Sequence, residues 1–262
     1  MRNAAIVLAV LAAACSQVWA QEENRKILTI EVGDAVTVGS FTAQDATIDV
    51  ETEYANPQGA VELKIGGPFS IGASYAQSKN EFTGEWSGDD GDSNGSADAK
   101  RTDVNAYLRL GSRDSVNFRL GYRYFKYEFT DGLITSPEEI DRNGTAKGDL
   151  STGIDGELNL VFGDKVQFGM GIGGTYFMDA DYTWEYDKEV GGVTTHETGS
   201  ATLNGYSGRV RPEISFKVND TVRIFLNYTL QATMWEGTPD NGKDYPGVDV
   251  YSAAAGGVRV ML

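Results

Sequence analysis

The last sixteen residues, Gly247 to Leu262, alternate to the very end of the chain. Val248, Val250, Ser252, Ala254, Gly256, Val258, Val260 and Leu262 fall on one side, and Asp249, Tyr251, Arg259 and Met261 on the other. Successive side chains of a β-strand point to opposite faces, so this pattern separates an apolar face from a mixed one. A strand that alternates right up to the carboxyl terminus is how a transmembrane β-barrel commonly ends.

The amino end agrees about location. Met1 to Ala20 reads as a secretory signal peptide: Arg2 supplies the positive start, Ala4 to Ala14 an apolar run, and Val18-Trp19-Ala20 a small-residue cleavage site. Eleven apolar residues fall short of the roughly 20 that a membrane-crossing helix needs. Ala12-Ala13-Ala14-Cys15 loosely follows a lipoprotein box, but Leu11 lies one place too early for it. Cleavage after Ala20 leaves residues 21–262 as the mature chain, which then holds no cysteine.

Mean hydropathy is negative at −0.32, although the chain carries 13 Tyr, 11 Phe and 4 Trp. A helical bundle in lipid needs long apolar runs, whereas a barrel wall needs only alternate residues to be apolar. No linker divides the mature chain, so one domain is expected over 21–262. The net charge of −16 argues against nucleic acid or an anionic surface as partner.

The alternation recurs along the whole chain. Leu28, Ile30, Val32, Val36 and Val38 share the apolar face of the first strand. In a second strand, from about Asp45 to Gly66, Ile48, Val50 and Tyr54 give way to Val61, Leu63 and Ile65. That parity flip near Asn56-Pro57-Gln58-Gly59 reads as a bulge or kink in one long strand, because Ala60 to Gly66 alone is too short to span. A true turn there would raise the strand count. Further strands carry Phe69 to Tyr75, Val104 to Leu110, Val116 to Tyr124, Leu150 to Phe162, Val166 to Ile172 continuing to Tyr186, Tyr206 to Val218 and Val222 to Met234. The expected fold is all-β: an antiparallel up-and-down transmembrane barrel of about ten strands, with twelve the alternative.

Turn chemistry orients it. Gly66-Gly67-Pro68, Ser112-Arg113-Asp114, Gly163-Asp164-Lys165 and Asn219-Asp220 are tight turns. Longer polar loops are expected at Ser87 to Lys100, Asp131 to Lys147, Lys188 to Ser200 and Glu236 to Tyr245. Phe162, Phe168 and Phe216 lie near the short turns, and Phe82, Trp86, Tyr182, Trp184, Tyr186 and Trp235 near the long loops, as two interfacial girdles would.

With this pattern the mature chain resembles the small outer-membrane β-barrel proteins of Gram-negative bacteria. The resemblance implies a bacterial outer-membrane location, contact with membrane lipid and lipopolysaccharide, and insertion by the barrel-assembly machinery. Leu262 stands where such proteins typically end in Phe. The identity of a surface partner does not follow from it.

Function then rests on the inward face. Arg119, Arg123, Asp155, Glu157, Arg209, Arg211 and Glu213 fall at similar heights above the short turns. Opposite charges in a narrow interior are expected to pair, because a desolvated charge is costly alone. Two readings follow: a salt-bridged barrel core with no ligand, or a selective constriction in a narrow pore for ions or small polar solutes. Inward Gly169, Gly171 and Gly173 either open a lumen or make room for the arginines. Arg259 and Glu31 are expected partners where the last strand closes on the first.

In one outer loop, Asp90-Gly91-Asp92-Ser93-Asn94-Gly95 with Asp98 matches the start of a calcium loop, but Arg101 occupies the position where an EF-hand has Glu. No other cofactor is expected. Some outer-membrane barrels are hydrolases: omptin proteases have an Asp pair and an Asp-His pair near the barrel top, and lipid A deacylases a His-Ser arrangement. This chain has one histidine, His196, with neither Asp-x-His nor His-x-Ser spacing, in a loop expected to be mobile. A base needs a partner held within hydrogen-bond reach, so the expected protein is not an enzyme. It is a membrane barrel whose acidic surface loops have a structural or interaction role.

Overall fold

Alternation along each strand becomes a wall with two chemically distinct faces. The computed structural model describes residues 27–43, 46–51, 56–88, 91–135, 139–148, 151–239 and 247–262. The expected signal peptide, Cys15 and Asp90 lie outside them. The strands are β1 (Leu28–Ala43), β2 (Ala46–Glu51), β3 (Asn56–Gly66), β4 (Phe69–Gly88), β5 (Gly91–Gly111), β6 (Asn117–Thr135), β7 (Glu139–Gly148), β8 (Ser151–Phe162), β9 (Val166–Val190), β10 (Val193–Lys217), β11 (Val222–Pro239) and β12 (Gly247–Met261).

All belong to one antiparallel sheet that closes on itself. β2 and β3 both lie between β1 and β4. β7 and β8 both lie between β6 and β9. The ring therefore has ten staves, the expected count. β12 seals against β1 with Val32 opposite Val258 and Glu31 opposite Arg259. Closure removes both sheet edges, so the ladder continues around the ring, as a wall in lipid requires. The two ends of the barrel domain meet: the Ile27 N–H donates to the Leu262 carbonyl at 2.6 Å, and the Leu262 N–H to that of Leu28 at 2.8 Å.

The outer face is apolar. Val32, Val36, Leu120, Ile154, Ile172, Leu226 and Val258 are exposed on it, and Phe162, Phe168 and Phe216 stand outward near the short turns. The turn at Gly163 shows why glycine is needed there: its φ is +99°, and a Cβ would sit 2.1 Å from the Val166 carbonyl oxygen.

Three expectations are corrected. Asn56–Gly59, where a bulge or kink was expected in the second stave, is regular β3 paired with β1. Gly39 is opposite Val50 and Ala35 opposite Asn56, so this stave carries two residues more than β1 over the interval. An even insertion preserves parity, and Ile48 keeps the register parity of Glu62 rather than that of Val61.

Next, most of the long polar segments are strand rather than loop. β4 and β5 stay paired to Gly88 and Gly91, and β9 and β10 to Val190 and Val193, across the Gly191-Gly192 turn. Alternation disappears in these segments because both faces meet water, yet the backbone ladder continues. β9 and β10 have 25 residues each, against the roughly 9–11 that a spanning strand needs, so long hairpins rise beyond the membrane.

Finally, Tyr182, Trp184, Tyr186 and Trp235 are not an outward girdle. Asp179, at φ +48°, forms a bulge where the β9–β10 register shifts and the face inverts: Tyr176 is exposed, whereas Phe177 and Ala180 are buried inside. Tyr182, Trp184 and Tyr186 continue the parity of Ala180. Trp235 is inward with Gln231 and Thr233. The side chains of Phe82 and Trp86 lie outside those described.

Candidate functional site

Inward positions of β5, β6, β8, β10 and β12 carry charge because their outward neighbours must be apolar, and ring closure brings these charges together. Glu157, 1 % exposed, receives three guanidiniums. Arg209 Nε and Arg211 Nη2 each donate at 2.8 Å, and Arg119 is ion-paired to the same Oε1 that Arg211 uses. Arg209 also grips Asp155 with two parallel bonds of 2.6 and 2.8 Å. Asp155 further accepts from Thr175 Oγ1 at 2.6 Å and Asn105 Nδ2 at 2.8 Å. Two-pronged arginine–carboxylate contacts fix direction as well as charge.

Arg123 lies higher, bidentate to Asp103 and bonded to Thr175 Oγ1 at 3.1 Å and to Gln231 Oε1 at 2.9 Å. Glu213 accepts from Arg259 Nη2 at 2.8 Å, and Arg259 also bonds Glu31, the expected partner at the seam. All seven residues singled out from the sequence thus face the lumen and are ion-paired there. Gly171 and Gly173 make room for this network: a Cβ on Gly171 would lie 3.2 Å from Glu157 Oε1, and one on Gly173 3.0 Å from Glu157 Cβ.

Several members were missed. Asp103, Asn105, Tyr107 and Arg109 share one parity of β5, opposite Val104, Ala106 and Leu108, and that parity was the available signal. Arg109 and Tyr107 both donate to Glu62 Oε2, at 2.9 and 3.1 Å. Arg113, read as a turn residue, reaches inward to Glu31.

A second missed feature crosses the barrel above the charges. Phe125, Phe177, Ala180 and Trp235 form a buried cluster with Tyr127 and Leu203. Ring centroids lie 5.6 Å apart for Phe125 and Phe177 and 5.4 Å apart for Phe177 and Trp235, spacings at which aromatic pairs attract. Arg101 stacks over Tyr251 at 3.7 Å and Phe125 at 4.7 Å. Tyr127 Oη donates to Asp249 Oδ2 at 3.0 Å. Their staves, β6 and β12, stand five places apart in the ring of ten, so this bond spans the lumen. Beneath the layer lies a cavity of about 200 Å³ lined by the charged network.

Of the residues of the calcium reading, Asp90 lies outside the described residues. Asp92, Asn94 and Asp98 sit along β5, paired with Ser87, Glu85 and Glu81 of β4. Same-face strand residues are spaced about 6–7 Å apart, whereas calcium ligands converge to about 2.4 Å from one point. Among the described residues no cluster of three His, Cys, Asp or Glu side chains is placed to hold a metal.

His196 is in strand β10, not a loop, and its Nδ1 lies 2.9 Å from Asp187 Oδ1 on β9. That contact raises the imidazole pKa above its ordinary value. Both side chains are exposed. The pair is nine residues apart across a hairpin, a separation that no short motif reveals.

No protein-family model matches the sequence, and no curated protein matches it. Among solved structures, the outer membrane protease OmpT from Escherichia coli superposes with a TM-score of 0.61 at 12% identity, over 90% of this chain and 97% of that one. The translocator domain of the autotransporter NalP from Neisseria meningitidis gives 0.42 at 10% identity, over 99% of this chain and 98% of that one. Neisserial surface protein A gives 0.32 at 12% identity, over 92% and 100%. Ten staves, a lipid-ready outer face and the OmpT superposition together make this the fold of the Gram-negative outer-membrane β-barrels.

Proposed function

We propose that this chain is an exported outer-membrane protein that acts as a closed, non-enzymatic scaffold, holding acidic hairpins outside the membrane in a structural or interaction role. The observation that carries the reading is the Tyr127–Asp249 bond within the layer of Phe125, Phe177, Trp235 and Arg101, which crosses the lumen. A side-chain-filled interior is what barrels of eight to ten strands provide. The signal peptide read at Met1–Ala20 supports export, and the apolar outer face supports residence in lipid. Lipid and lipopolysaccharide are then its surroundings, and the barrel-assembly machinery its route in.

The long hairpins give the scaffold its surface. Asp181, Glu185, Asp187, Glu189 and Glu197 all lie on the projecting β9–β10 hairpin, where like charges discourage anionic partners and favour cationic ones. The charged cavity supports the second reading, a narrow channel, only if the aromatic layer moves aside. Planar-bilayer recording of the purified protein tests this: electrical silence is expected, and steady stepwise conductance by the wild-type chain would sink the scaffold reading.

A further inference from the structure

We propose that the cavity beneath the aromatic layer binds a compact multivalent oxyanion of the size of inorganic phosphate, held by Arg119, Arg211 and Asn159. The first argument is charge. Eight arginines line the cavity against four carboxylates, and Glu62 and Asp155, bonded to lining arginines, bring the carboxylates to six. Asp249, buried beside Arg101, makes seven, so the balance is one positive charge inside a chain whose net charge is −16. Uncompensated charge in a confined interior is costly, and an anion removes that cost.

Hydrogen bonding points the same way. Arg119 Nε and Asn159 Nδ2, both on residues lining the cavity, are buried donors without an acceptor. Asn159 is 8 % exposed. These donors are neighbours: Arg119 and Arg211 meet on Glu157 Oε1, and Arg211 Nη2 approaches Asn159 Oδ1 at 3.4 Å. Orphaned donors beside crowded guanidiniums match an oxyanion, which accepts from several directions and carries the missing charge.

Gly171 keeps the place open, since a Cβ there would come within 3.1 Å of Asn159 Oδ1 and 3.2 Å of Glu157 Oε1. The volume of about 200 Å³ far exceeds the roughly 10–15 Å³ that one water needs. The anion arrives free in water, because lipid tails would have to cross the closed ring of staves.

The test is calorimetric titration of the full barrel, in a non-ionic, phosphate-free detergent, with inorganic phosphate at constant ionic strength. Conductance does not enter it, so it stands or falls separately from the scaffold reading. One saturable site is expected. Arg211→Met, at the most exposed arginine of the group, weakens it about tenfold, the loss of one charge-assisted hydrogen bond. Gly171→Ala weakens it while keeping every charge. Folded barrel with no saturable heat overturns the proposal. So does unchanged affinity in both variants, which would leave an adventitious ion only.

Discussion

The barrel interior below the aromatic layer and the hairpins above it are built from the same strands, yet carry opposite charge. Below, arginines outnumber carboxylates and nearly every charged group is engaged by another on its own, the adjacent or the next-but-one stave. Above, Asp181, Glu185, Asp187, Glu189 and Glu197 crowd one hairpin pair in water, with contacts to facing strands such as Thr202–Asp181, Thr145–Glu185 and His196–Asp187. The difference follows from solvent. In the membrane section lipid forces apolar side chains outward, so charge goes inside and must be matched. In water neither constraint holds, and acidic excess persists at little cost.

If that contrast is right, the largest effect comes from Glu157→Gln. It leaves Arg119 and Arg211 without the carboxylate they share and Arg209 with Asp155 alone, at about 3–5 kcal/mol. The chemical-denaturation midpoint of the detergent-folded barrel should fall steeply, whereas Glu185→Gln on the hairpin should leave it unchanged. Equal shifts for the two would erase the contrast.

Trp235→Ala comes next. Removing the indole from beside Phe177 should cost about 3 kcal/mol and open the layer, so an electrically silent wild type should become a conducting variant in planar bilayers. A destabilised but still silent barrel would show that the polar crossing at Tyr127 and Asp249 seals the lumen by itself.

At the seam, Arg259→Met removes the bonds to Glu31 and Glu213 while leaving the β1–β12 ladder intact. A loss of about 2 kcal/mol is expected, read as a lower temperature for loss of the heat-modifiable gel shift of folded barrel. No change would mean that the backbone ladder alone holds the closure.

The smallest effect belongs to the hairpin. The Asp187 contact raises the His196 pKa, so its contribution is fully present below the ordinary imidazole pKa of about 6.5. It is lost as pH rises through the folded value. An NMR titration of His196 should show a midpoint above 6.5 that falls back in Asp187→Asn. The same midpoint in both would remove the pair from the account.

Much of the wall was legible in the sequence. Val258 outward, Arg259 inward and the seam with Glu31 all follow from parity, because a two-residue repeat in lipid leaves one assignment. Parity also held the clue to Phe125 and Trp235, which share it with Arg123 and Gln231. The apolar character of Trp235 drew it instead to an imagined girdle, and Phe125 was not singled out. Tyr182 and Trp184 were beyond parity, since the Asp179 bulge inverts the faces and no apolar repeat marks a single backbone residue at positive φ. The hairpins were hidden for another reason: periodicity reports burial, and in water a strand pairs without it.

The chain by itself determined that it forms a closed antiparallel wall, which parity of most strands faces lipid, which end carries the tight turns and which strand completes the ring. Only the tertiary structure decided that Arg119, Arg209 and Arg211 converge on one carboxylate, that Tyr127 reaches Asp249 across the lumen, and that a cationic cavity lies beneath. Alternation is a property of one strand and is written along it. Who meets whom across a barrel depends on stave tilt, stagger and ring diameter together, and no single strand carries those.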